Sequence, residues 1–117
     1  MTEVKQLTES LIAYMQKLEI VFNKGEKPTH NDHAFFEKVR TEINPIYDMV
    51  EAWEEKTSYL IQQRKVDLHP KQVDATVKSI KAIALHSYYL DVRKRRYQDI
   101  KKSVEYVLQL LLKELSS

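Results

Sequence analysis

The chain almost lacks the residues that permit sharp turns. Among its 117 residues the single glycine is Gly25, the prolines are Pro28, Pro45 and Pro70, and residues 71–117 contain neither type. A sheet of many short strands needs frequent turn residues, whereas long helices need few. The scarcity of both residues therefore predicts an all-α protein.

Apolar residues recur three and four positions apart, which is typical of one face of an α-helix. Gly25 suits the end of a first helix over residues 3–24, and Pro70 suits the first position of a third helix. We expect the second helix at residues 32–64 and a loop at 65–69. The predicted core stripes are Val4, Leu7, Leu11, Tyr14, Leu18 and Val21; Phe36, Val39, Ile43, Ile46, Val50, Trp53, Thr57 and Leu60; Val73, Val77, Ile80 and Ala84; and Tyr97, Ile100, Val104, Leu108, Leu111 and Leu115.

The second stripe passes through Pro45 without a change of phase. A proline inside a helix costs about 3 kcal/mol, and Asn44-Pro45 by itself indicates a cap and a new start. A chain reversal there would shift which residues face the core. We therefore predict one long second helix that is kinked or briefly interrupted near Pro45.

The 46 residues from Pro70 to Leu115 are too long for one helix. Unbroken, they would extend about 69 Å, whereas a compact chain of this length has a radius of gyration of about 13 Å. The two apolar stripes in this segment fall out of phase between Ser87 and Arg96, which places a turn there. The prediction is a four-helix, up-and-down antiparallel bundle in which residues 1–117 form a single domain.

The composition excludes several classes of protein. Without cysteine there is no disulfide framework, thiol nucleophile or thiolate zinc site. The N-terminus lacks an apolar segment behind a basic cap, and no stretch approaches the roughly 18 apolar residues of a membrane span. We expect a cytoplasmic protein that is neither secreted nor embedded in a membrane.

Patterns for metal and cofactor chemistry are weak. The chain has no Glu-x-x-His pair for a di-iron centre, and one glycine cannot form a Gly-rich phosphate loop. His30 and His33, with Glu26 and Asp32 nearby, have a spacing that could surround zinc, but capping at the start of a helix explains the same residues. We expect no metal and no cofactor.

One catalytic pattern is present in Arg64 and His69. The spacing is similar to the Arg-x(4 to 6)-His element of helical-bundle ribonucleases from toxin systems, in which an arginine holds phosphate and a histidine moves a proton. With five arginines and four histidines in the chain such spacings arise by chance, and this pair straddles a loop. We favour a role for His69 as a loop or cap residue.

The strongest local feature is the run Arg93-Lys94-Arg95-Arg96 followed by Tyr97. Residues 31–58 hold seven acids and three bases, whereas residues 62–102 hold eleven bases and four acids. The run, with Tyr88, Tyr89 and Tyr97, could grip a phosphate backbone and stack bases. Alternatively, the basic third and fourth helices lie beside the acidic second helix, and their opposite charges compensate each other across the bundle. A net charge of +2 and a pI of 8.7 favour the second interpretation and argue against a nucleic-acid partner. We also expect the run to avoid a helix N-terminus, where the dipole opposes positive charge.

A further set of residues along the chain forms a recognisable pattern: Phe35-Phe36-Glu37, Trp53, Leu60-Ile61, His69 with Gln72, Leu85 with Ser87, Lys94 to Ile100, Ser103, Val104, Tyr106 and Leu108. This pattern resembles the YppE-like proteins, small uncharacterised proteins of Gram-positive bacteria. The resemblance covers residues 34–108 and implies a cytosolic four-helix bundle, with no known activity and no catalytic residue to carry over.

By elimination, the sequence favours a non-enzymatic protein-interaction module that binds a protein partner or itself. The alternative is an RNA-binding or RNA-cleaving bundle that uses Arg93 to Arg96, or Arg64 with His69. The candidate interaction residues are Arg93, Lys94, Arg96, Tyr97, Arg64 and His69.

Overall fold

Four α-helices make up almost all of the described structure. The computed structural model describes residues 2–24, 33–88 and 92–116. The helices are α1 (Thr2–Lys24), α2 (His33–Gln62), α3 (Pro70–Tyr88) and α4 (Lys94–Leu115), and the described residues contain no strand. The all-α prediction is confirmed. So are the start of the third helix at Pro70 and a break between Ser87 and Arg96.

Consecutive helices run antiparallel around the bundle. The indole of Trp53, late in α2, reaches Thr8, early in α1, and Tyr88 at the end of α3 reaches Glu42 in the first half of α2. Lys101, near the start of α4, lies 2.8 Å from Glu19, near the end of α1. Helices α1 and α3 also pack across the centre, whereas α2 and α4 occupy opposite corners and are not in contact within the described residues. This is the predicted up-and-down arrangement.

Helix α2 is continuous through Pro45, as the unbroken phase of its apolar stripe predicted. Pro45 lies on the exposed side, and Ile43, Ile46 and Val50 around it are buried. Burial of the inner face on both sides of the proline offsets the hydrogen bond that the helix loses there.

One core connects the four helices, and most of the predicted stripes lie in it. Trp53, Tyr97, Leu11, Met15 and Leu108 are among the largest fully buried side chains. The prediction was wrong for Phe36, which is 37% exposed, because α2 begins at His33 and Phe36 lies in its first turn beside the bundle's end. It was also incomplete in α4, where Lys101 is buried and the neighbouring Ile100 is only half-buried.

None of the described helices combines the length and apolar character that crossing a membrane requires.

Candidate interaction surface at the basic end of the bundle

The basic run begins α4. Arg93 is the N-cap, with extended backbone angles and no side-chain capping bond, and Lys94, Arg95 and Arg96 form the first turn. All four side chains are exposed. The expectation that the run avoids a helix N-terminus was wrong. Exposure to water screens the unfavourable dipole, and the buried residue that follows the run fixes where the helix starts.

That buried residue is Tyr97, which was predicted to belong to the interaction surface. It is 0% exposed, and its ring stacks on Phe22 of α1 with centroids 3.9 Å apart and planes 8° apart. Its hydroxyl lies 2.7 Å from the hydroxyl of Ser87, which donates to the Ile83 carbonyl. Burial raises the pKa of Tyr97. Tyr97 is therefore a core residue that joins α1, α3 and α4, and it is not available to stack on a nucleic-acid base.

Tyr88 is also removed from the surface. It is 6% exposed, and its hydroxyl donates a hydrogen bond of 2.5 Å to the Glu42 carboxylate in α2. Burial, followed by the bond to Glu42, raises the pKa of Tyr88. Tyr88 and Tyr97 therefore cannot serve as the exposed aromatic rings that were predicted to lie among the cations. Tyr89 lies outside the described residues.

Lys101, in the first half of α4, forms ion pairs with Glu19 of α1 and Glu105 of α4. Lys101 is 8% exposed, lies 2.8 Å from Glu19 and donates to Glu105 at 3.1 Å. Burial opposes the charged form of Lys101, but the bonds to Glu19 and Glu105 outweigh it and raise the pKa of Lys101. The same bond lowers the pKa of Glu19, and the charge of Lys94 contributes to that shift. A cation within an apolar stripe, at the spacing Tyr97, Lys101, Val104 and Leu108, was the sequence signal for this cluster.

Arg64 lies at the end of α2, and His69 lies at the start of α3. The N–H of Arg64 donates to the Ile61 carbonyl and the N–H of Lys65 to the Leu60 carbonyl, and Arg64 has a φ of 56°. This is a Schellman motif closing α2, with Arg64 at the left-handed position that glycine usually occupies.

His69 opens α3. Its Nδ1 accepts the N–H of Lys71, and its own N–H donates to the Gln72 side chain. The depression that Arg64 lines with Val66, Asp67 and Glu114 does not include His69. These contacts assign both residues to helix capping and give His69 Nδ1 a partner other than a substrate.

The candidate metal residues Glu26, His30 and Asp32 lie outside the described residues, and His33 is exposed at the start of α2. Within the part of the chain that the structure describes, no group of three or more histidine, aspartate or glutamate side chains could hold a metal ion.

Charge is divided along the long axis of the bundle, which measures about 49 Å. We call residues 14–24, 33–47, 81–88 and 92–103 the basic end; they hold eleven basic and four acidic residues, a formal net charge of +7. The described residues of the opposite end hold seven basic and ten acidic residues, a net charge of −3. The interpretation that α2 neutralises the basic run is wrong for α4, because α2 and α4 are not in contact; the ion pair of Lys81 with Glu51 links α2 to α3 instead.

The architecture and the comparisons define the same class of protein, a small four-helix bundle without an assigned activity. A bacterial domain of unknown function, DUF1798, matches residues 8–115, so the chain belongs to this family. The predicted resemblance to YppE-like proteins is confirmed.

The relatives share both sequence and fold. The chain is 26% identical to the uncharacterised protein YppE of Bacillus subtilis (strain 168) over 112 residues, which cover 95% of this chain and 90% of that protein. The crystal structure of YppE superimposes with a TM-score of 0.82 at 25% identity, covering 97% of this chain and 92% of YppE. Its solution structure gives a TM-score of 0.78 at 23% identity with the same coverage.

Proposed function

We propose that the protein is a non-enzymatic interaction module whose basic end binds an acidic surface of another protein. The observation that carries the proposal is the placement of four exposed cations, Arg93 to Arg96, at the N-terminus of α4. Helix starts favour Asp, Ser or Thr at the cap and acidic residues in the first turn. The four cations therefore make the start of α4 less stable than a typical helix start. Residues that break a local rule without a structural gain are expected at functional sites.

Charge on the rest of the basic end favours a partner over self-association. A two-fold dimer through this end would bring two surfaces of net charge +7 together, which like-charge repulsion opposes. An acidic partner would instead be attracted from a distance and oriented before contact.

The RNA-binding alternative uses the same cations, but it loses its stacking residues because Tyr88 and Tyr97 are buried. Without these two aromatic platforms, binding to single strands would depend more heavily on backbone charge. The RNA-cleaving version also loses support, because Arg64 and His69 are capping residues of different helices.

Affinity capture from native cell extract tests the proposal. The baits are the wild-type protein, the variant with Arg95→Glu and Arg96→Glu, and a control with Lys65→Glu and Lys71→Glu, which reverses two exposed cations of the opposite end. We expect the wild type and the control to retain the same protein after nuclease treatment, and the α4 variant to lose it. Retention by all three baits, or loss of the captured protein upon nuclease treatment, would contradict the proposal.

A further inference from the structure

A groove runs between the second half of α1 and the first half of α2. It encloses about 250 Å³, and its walls include Lys17, Ile20 and Lys24 from α1 and Phe35, Lys38 and Glu42 from α2. A second depression of about 220 Å³ adjoins it, shares Lys17, Glu42 and Tyr88, and extends to Tyr14 and Pro45. Residues 14–24 of α1 span about 15 Å at 1.5 Å per residue, so the groove follows three helical turns.

Apolar side chains form part of the groove without being covered by the bundle. Ile20 is 58% exposed, although α1 buries its other branched aliphatic residues at least in part. Phe35 is half-buried and makes an edge-to-face contact with the exposed Phe36, with centroids 6.4 Å apart. This apolar surface, rimmed by charge, has the character of a docking groove.

The rim of the groove is positively charged. Within the described residues, Lys17, Lys24 and Lys38 form no ion pair with a carboxylate, so no partner neutralises their charges on the rim. Lys24 lies in the last turn of α1, where the helix dipole favours a positive charge. Lys17 lies over the ring of Tyr14, 5.9 Å from its centroid, and so remains on the groove wall.

The one carboxylate among the described groove residues is already engaged. Glu42 accepts the hydroxyl hydrogen bond of Tyr88, the residue that forms the inner wall. The three lysines outnumber this carboxylate, so the groove rim carries a net positive charge that a ligand with carboxylates would complement.

We infer that this groove binds an acidic amphipathic helix of another protein. The apolar face of that helix packs on Ile20 and Phe35, and its carboxylates meet Lys17, Lys24 and Lys38. A helix fits because the valley between α1 and α2 follows three helical turns, and it would receive side chains spaced three and four residues apart. The inference rests on the proposed function and assigns it a surface and a chemical class of partner.

The test is an NMR titration of the full chain with synthetic helical peptides of about 18 residues. The first peptide carries leucine at helical spacing and glutamate elsewhere; the second and third replace glutamate by glutamine or lysine. We expect saturable shifts confined to residues 14–24 and 33–47 with the acidic peptide, and binding at least about tenfold weaker with the other two.

Variants identify the groove. Ile20→Ser, an exposed position that leaves the core intact, should weaken the acidic peptide about tenfold, as loss of an apolar anchor does. The pair Lys17→Glu and Lys38→Glu should weaken it similarly, and by less at high salt. The matched control, Tyr59→Ser, removes another exposed apolar side chain at the opposite end and should change nothing.

Three outcomes would overturn the inference: no saturable binding, equal binding of all three peptides, or shifts that map outside the groove. Concentration-dependent self-association of the free chain that Ile20→Ser removes would also overturn it, because the occupant would then be a second copy. The proposed function fails separately. If charge reversal in α4 abolishes capture of the native partner while Ile20→Ser does not, the interaction module stands and the groove assignment is wrong.

Discussion

The hydroxyl of Thr8 joins two helices inside the core. It donates to the Val4 carbonyl at 2.7 Å and accepts the indole N–H of Trp53 at 3.0 Å, and both Thr8 and Trp53 are 0% exposed. Thr41 makes the same bond to the carbonyl four residues earlier, but it is exposed and has no indole partner among the described contacts. The two threonines therefore form a matched pair.

We predict that Thr8→Val lowers the free energy of unfolding by about 1–3 kcal/mol, because the indole N–H is left buried without an acceptor. Thr41→Val should change it by less than about 0.5 kcal/mol. Urea unfolding monitored by fluorescence of Trp53, the single tryptophan, measures both. Equal losses in the two variants would show that the backbone bond, and not the bond to Trp53, accounts for the effect.

Lys101 allows a second residue-scale prediction, in which pH supplies the control. Lys101→Met removes the cation that Glu19 and Glu105 share. At pH 7 we expect it to lower the free energy of unfolding by about 1–3 kcal/mol. The loss is smaller than for a fully buried pair because both carboxylates retain some exposure. The exposed pair of Lys78 and Asp74 is the reference: Lys78→Met should cost less than about 0.5 kcal/mol.

The sign of the pH dependence follows from Glu19. Its pKa is lowered from 4.5 in the folded protein, so it stabilises the fold above the unfolded-state value, and this contribution disappears as pH falls through the folded value. The stability difference between the wild type and Lys101→Met should therefore shrink below about pH 4.5. Chemical unfolding at pH 7 and at acidic pH measures it, and a constant difference would contradict a charge-based role.

At the scale of the helix, sequence periodicity was sufficient for the number and order of elements. The break in α3–α4 was found because the stripes ending at Ala84 and beginning at Tyr97 are out of phase, and continuity at Pro45 followed from unbroken phase. The burial of Lys101 was missed because its charge concealed an apolar-stripe position. Phe36 was misplaced because periodicity shows which side a residue faces but not whether a neighbouring helix extends far enough to cover it.

The expectation that the basic run avoids a helix N-terminus was the main error, and its correction yields a prediction. Because exposed cations at Arg93 to Arg96 face the positive end of the helix dipole, Arg95→Glu should raise the free energy of unfolding by about 0.3–1 kcal/mol. The neutral Arg95→Gln should give about half that gain, and salt should reduce both. Thermal unfolding at low ionic strength tests this. A decrease on Arg95→Glu would mean that Arg95 stabilises the fold through a contact, which would remove the argument for a functional role.

At the scale of the molecule, the charge separation was not visible in the sequence. The acidic stretch 31–58 looks like one feature along the chain, but antiparallel folding places Glu37 and Glu42 at the basic end and Glu51, Glu54 and Glu55 at the opposite end. Sums over consecutive residues therefore mix the two ends, and only the packing order α1, α2, α3, α4 separates them. The candidate groove was invisible for the same reason, since its walls include Lys17 of α1, Lys38 of α2 and Tyr88 of α3.

The charged end leads to a quantitative expectation for nucleic acid. Arg93 and Arg96, three residues apart, share a helix face, while Lys94 and Arg95 point elsewhere, so two or three phosphates are neutralised together. At a slope of about −0.9 per phosphate, the logarithm of the affinity should fall with the logarithm of salt concentration at a slope of about −2 to −3. Because Tyr88 and Tyr97 are buried and contribute no stacking, the dissociation constant for mixed-sequence RNA or DNA should be no tighter than about 1 μM at physiological salt. Fluorescence anisotropy with a labelled oligonucleotide measures both quantities. Two or three phosphate contacts alone cannot produce sub-micromolar affinity. If such affinity is measured and Arg93→Glu and Arg96→Glu abolish it, the partner of the basic end is a nucleic acid and not an acidic protein.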